Sequence, residues 1–208
     1  MPQKEKPTLS LPRTLRVEAL SDCVYSFAMT VLVLGIQLPR VKSEQADIIL
    51  PTLISHIIPR LFHYAACFFV LGAFWVNSHQ QFHHIRHVDR LLLWLNLVIL
   101  MFITLLPFSA QLINTYTASQ ISVLFFDGHI LILSCLFWFN RFWAVRCKLI
   151  EPGMNPGWGL RVGNNIFLLE VFIITCSVAL SFVSPRWSRG PYLLMPLLPV
   201  IARNLTKA

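Results

Sequence analysis

The chain has 208 residues, 56% of them hydrophobic and only 12% charged, with a formal charge of +8. A water-soluble domain carries about 25% charged residues. Half that content excludes a body covered by water and points to one domain with several membrane spans. The basic residues lie between apolar runs and form no continuous stripe, so nucleic acid is not an expected partner; membrane lipid is.

Residues 1–15, MPQKEKPTLSLPRTL, are polar, basic and broken by proline. They read as a cytoplasmic tail with no cleavage site after the first span. Residues 16–205 then form an all-α membrane domain of six segments. The first runs from Leu15 to Leu38 and stops at Pro39. The second covers Ile57 to Phe82, and the third Asp89 to Ile113, with Pro107 as a kink site. The fourth covers Ser119 to Val145, and the fifth Arg161 to Val183, before Pro185. The sixth, PYLLMPLLPVIA, is short of the roughly 20 residues of a full helical span and holds three prolines. Six crossings with the N-terminus inside leave five of the 17 Lys and Arg outside, namely Arg40, Lys42, Arg60, Arg186 and Arg189. That bias places both termini in the cytoplasm. The five cysteines are scattered and show no disulfide or zinc pattern, so they read as small apolar packing residues.

The first segment begins with Arg16, Glu18 and Asp22. Charge within a span is costly and marks function. On a helix of about 100° per residue, Leu20, Cys23, Phe27, Val31, Leu34 and Leu38 fall within about 40° of Phe27, and Thr30 lies about 60° away. Glu18 and Asp22 fall on the opposite side. Taken alone, the stripe is what any packing face looks like. The carboxylates change the weighing, because Asp22 should face protein and not lipid. Arranged around an axis, the apolar stripe would make a constriction that gates by dewetting. Partners for the acidic side are Trp75, Asn77, His79 and Asn96; Asp22 is expected to be buried near His79, Trp75 or Asn96, in a charge-assisted network with His79 or Arg16.

Arg16, Leu20, Ser21 and Asp22 stand where the transmembrane protein 175 family of endosomal and lysosomal potassium channels has its R-x-x-x-F-S-D motif, and the stretch resembles that family. FWVNSHQQF and RLLLWLNLVILMFITLLPF resemble its second and third helices. The resemblance covers Arg16 to Gln111. It implies a six-helix subunit of the bacterial, single-repeat type, a homotetramer in which the first helices line a central pore, and a location in the bacterial plasma membrane. It implies a potassium-permeable channel, not an enzyme, with monovalent cations as permeant species and no cofactor or bound metal. The family's constriction falls five residues beyond the motif Asp, at Phe27, followed by Thr30, Val31 and Leu34. Leu20 replaces the motif Phe, Cys23 follows the Asp, and Phe27 is bulkier than the family's branched aliphatic. Arg16 is expected to be turned from the pore mouth by Glu18 or Asp22.

Two rival readings come from other classes. Asp22 and His79 suggest a proton-conducting channel or a secondary transporter, although the chain shows no internal repeat. HQQFHHIRH places His79, His83 and His87 at helical spacing, as in a membrane metalloenzyme, but the ligand count falls short. A helix end whose histidines meet dipole and headgroups is the better reading.

Overall fold

The computed structural model describes residues 13–36, 46–150, 156–185 and 187–207. These form α1 (Arg13–Leu34), α2 (Ala46–His83), α3 (Arg90–Thr115), α4 (Gln120–Arg146) and α5 (Pro156–Val183), then a 3₁₀ helix (Gly190–Leu197) running into α6 (Leu198–Lys207). No helix but α6 has a marked polar face, because lipid satisfies no backbone group and each span must close its own hydrogen bonds while presenting apolar atoms outward. Trp94, Ile121, Phe172 and Phe182 accordingly stand exposed on the single chain.

The helices alternate up and down around one core. Tyr25 and Ala28 of α1 meet Leu71 and Phe74 of α2, Ile99 and Ile103 of α3, Phe126 and Ile130 of α4, and Tyr192 of the 3₁₀ helix. Phe74 stacks on Phe137 at 5.4 Å between centroids. The inner end, as the positive-inside expectation names it, is closed by loops that touch one another. Ile85 and Ile150 form an antiparallel bridge, and the Arg86 amide donates to the Leu149 carbonyl at 2.9 Å. Asp89 caps α3 through the Leu92 amide at 2.7 Å and accepts from Trp143 Nε1 at 3.0 Å. Lys148 ends α4 with a φ of 53°, the left-handed turn in which the Leu149 amide reaches the Ala144 carbonyl.

Some expected boundaries shift. α2 starts at Ala46, eleven residues before Ile57, and continues through Pro51 and Pro59. α1 ends at Leu34, and Leu38, Pro39, Arg40 and Lys42 lie outside the described residues, as do residues 1–12 of the tail. Among the described residues five helices are long and apolar enough to cross a membrane. The sixth segment is not a single helix: eight 3₁₀ residues and ten α residues together reach about 31 Å, against a hydrocarbon core of about 30 Å. It runs back along α5, with Tyr192 on the same carboxylate as Ser177 and Thr206 accepting from Asn165 Nδ2 at 3.0 Å.

Candidate functional site

α1 divides into two faces. Ser21, Tyr25, Ala28 and Leu32 are buried against α2 and α3. Leu20, Cys23, Ser26, Phe27, Thr30 and Leu34 are exposed, Phe27 at 67% and Leu34 at 74%, while Val31 is half-buried. A bulky apolar row this open, on a helix fixed from behind, has the form of a surface that meets further copies or an ion path. Exposure on one chain does not separate Ser26 from Phe27. Ser26 Oγ donates to the Asp22 carbonyl at 2.7 Å, and Thr30 Oγ1 to the Phe27 carbonyl at 2.8 Å.

The back of α1 is held by polar pairs at its inner end. Trp75 Nε1 donates to Asp22 Oδ1 at 2.8 Å. Asn96 Nδ2 donates to Ser21 Oγ at 3.2 Å, and that hydroxyl donates to the Val17 carbonyl. His79 Nδ1 lies 3.0 Å from Glu18 Oε1, and its ring stacks on Trp75. Of the partners expected for Asp22, Trp75 bonds it, while His79 takes Glu18 instead. The reason is depth. α1 and α2 run antiparallel, so the residue nearer the start of α1 meets the one nearer the end of α2, and four residues are about 6 Å of rise. Asp22 is half-buried rather than buried. Arg16 is exposed and makes no ion pair with Glu18 or Asp22, since the helical turn sets it about 160° from the first and about 120° from the second. Asn77 belongs elsewhere, accepting from Arg141 Nη2 at 2.6 Å. Among the described residues no three His, Cys, Asp or Glu side chains gather as a metal site; the rings of His83 and His84 tilt against each other.

At the other end of α1 a cavity of about 280 Å³ opens between Val31, Leu34 and Ile36 of the α1 end, His63 and Cys67 of α2, and Gln111 and Asn114 of α3. The second half of the chain holds polar groups that the sequence reading passed over. Asp127 accepts from Tyr192 at 2.6 Å and from Ser177 at 3.0 Å, all three buried. Glu170 shares a small cavity with Arg141, and a side chain at Gly163 would collide with that guanidinium. His129 Nε2 meets the Phe102 carbonyl at 2.9 Å, so Nε2 carries the proton and Nδ1 accepts from Ser109. The signal available in the sequence was the rarity of Asp, Glu and Arg inside apolar segments. Three of the five cysteines, Cys23, Cys135 and Cys147, are exposed rather than packed.

Residues 16–107 match the family model described as the endosomal/lysosomal potassium channel TMEM175. The chain is 35% identical over 105 residues to a Streptomyces collinus protein named as a potassium channel, a match covering 49% of this chain and about half (48%) of that relative. It is 25% identical over 186 residues to a Chryseobacterium protein also named as a potassium channel, covering 89% and 92% of the two chains. The fold is that of the crystal structure of a lysosomal potassium-selective channel TMEM175 homolog from Chamaesiphon minutus, with a TM-score of 0.71 and 22% identity over 95% of this chain and 100% of that one.

Proposed function

We propose that the chain, whose residues 16–107 match the endosomal/lysosomal potassium channel TMEM175 model, is a member of that family and a potassium-permeable cation channel of weak to moderate selectivity. Four chains form it, with α1 of each on the central axis. The observation that carries this reading is the division of α1. Its back is fixed to α2 and α3 through Asp22, Ser21 and Glu18, while its bulky apolar row at Leu20, Phe27 and Leu34 stays exposed among the described residues. One helix encloses no pore, so closed symmetry is needed.

Phe27 makes the narrowest ring, and Val31 and Leu34 continue it. Such a ring passes ions only when it is wide enough to stay wet. Thr30 supplies a hydroxyl at the same level. Its proton is turned to the Phe27 carbonyl, which leaves oxygen lone pairs for a cation. No TVGYG-type carbonyl filter occurs in the sequence. Selectivity then rests on the ring itself and on the acidic inner end. The bacterial plasma membrane is the location, with both termini cytoplasmic. Support comes from the bias of Lys and Arg and from the contact between the α2–α3 and α4–α5 loops at one end. A proton relay through Asp22 and His79 is less well supported, since the two side chains bond to different partners.

Recording the purified protein in planar bilayers under separate potassium, sodium and proton gradients tests this. A current whose reversal follows potassium, with a smaller sodium share, supports it. A current following only the proton gradient, or flux coupled to two gradients, overturns it.

A further inference from the structure

Arg189 is a cation removed from solvent without a charged partner. It precedes the 3₁₀ helix, is 3% exposed, and donates from Nη1 to the Ile113 carbonyl at 3.3 Å. Ile113 stands in the last turn of α3, where carbonyls lack helical partners and the dipole is negative. That explains a cation here, but not the rest of the guanidinium. Nε and Nη2 are both buried and have no hydrogen-bond partner among the described residues. No Asp or Glu among the described residues lies within ion-pair distance of Arg189. Asp127, buried in the same half of the bundle, is already committed to Tyr192 and Ser177.

The two unpartnered nitrogens are not scattered. Nε and Nη2 share one edge of the planar group, and their N–H bonds run parallel. This is the edge that takes an anion side-on. Burying it unfilled carries the full desolvation penalty of a charged donor pair. The neighbourhood fits an anion. His63 and Cys67, one turn apart on α2, lie within electrostatic reach of Arg189. Both line the outer cavity, which no Asp or Glu lines. His63 Nδ1 is buried without a partner there, and one tautomer makes it a further donor.

We propose that the Nε/Nη2 edge of Arg189 holds a small monovalent anion, a halide or a short carboxylate such as formate. The bound anion joins the turn after α5 to the end of α3. Both nitrogens are closed off from solvent, so gluconate is too large to reach them.

The test uses the purified full-length protein in detergent at constant ionic strength. Thermal unfolding is followed while sodium gluconate is replaced by sodium chloride, sodium bromide or sodium formate. A saturable rise of roughly 2–4 °C is expected in the small anions, and Arg189→Met should abolish it. Equal melting in all salts, or the same rise in Arg189→Met, overturns the proposal. Should that variant fail to fold, bromide-soaked crystals of the unaltered protein decide. An anomalous peak on the Nε/Nη2 edge supports the site, and its absence there overturns it.

Discussion

The two halves of the bundle use polar groups differently. In α1–α3 they sit at one end of α1 and hold it to its neighbours through one-to-one contacts: Asp22 with Trp75 and Glu18 with His79, half-exposed, and Ser21 with Asn96, buried. In α4, α5 and the sixth segment they lie deep, and one carboxylate, Asp127, gathers hydroxyls from two other elements. The first arrangement leaves one face of α1 exposed, the face proposed to meet further copies and the ion path. The second locks α4, α5 and the 3₁₀ helix to one another. Charge beside α1 therefore has a different task from charge buried among the later elements: it orients a helix without enclosing it.

Substitutions can break that contrast. Asp127→Ala should have the largest effect on stability, about 2–3 kcal/mol, since it strands the Tyr192 and Ser177 hydroxyls in a dry interior. Chemical unfolding in detergent measures the loss, and the potassium-to-sodium preference should stay as it was. Asp22→Asn removes the charge-assisted bond from Trp75 and should cost about 1 kcal/mol, because the pair is half-exposed. Here the preference should fall or the assembly weaken, which reversal potentials and light scattering would report. No change in either would mean that the inner-end pairs do not orient α1. Ser21→Ala leaves the Asn96 amide without its acceptor and should cost about 1 kcal/mol by the same unfolding assay. Lys148→Gly is the control outside both networks. Relief of the left-handed residue should raise stability by about 0.5 kcal/mol, with no effect on current.

What could be read from the sequence follows the same division. In the first half the information is local. Charges interrupt an apolar run, the helical period assigns the buried and open sides of α1, and the motif from Arg16 to Asp22 names a family. Pairing across helices was harder. Glu18 and Asp22 are one turn apart, as are Trp75 and His79, so either register brings an acid to a ring. Only the antiparallel depth of α1 against α2 selects Asp22 with Trp75. The sixth segment was obscure for another reason. Pro191, Pro196 and Pro199 shorten it as an α-helix, but the 3₁₀ form rises faster per residue and recovers the length. The early start of α2 was hidden by Pro51 and Pro59, which a membrane helix tolerates better than a soluble one. Arg189 carried no periodic signal, because its role depends on where α3 ends.

The account depends most on the open face of α1 being the ion path, with Phe27 at its narrowest point. Single-channel recording of Phe27→Ala beside the unaltered protein, with potassium on one side of the bilayer and sodium on the other, tests this directly. A truncated ring should raise conductance or open probability and move the reversal potential toward zero as discrimination weakens. If current and reversal potential are both unchanged, Phe27 does not form the constriction and α1 does not face the pore in this register.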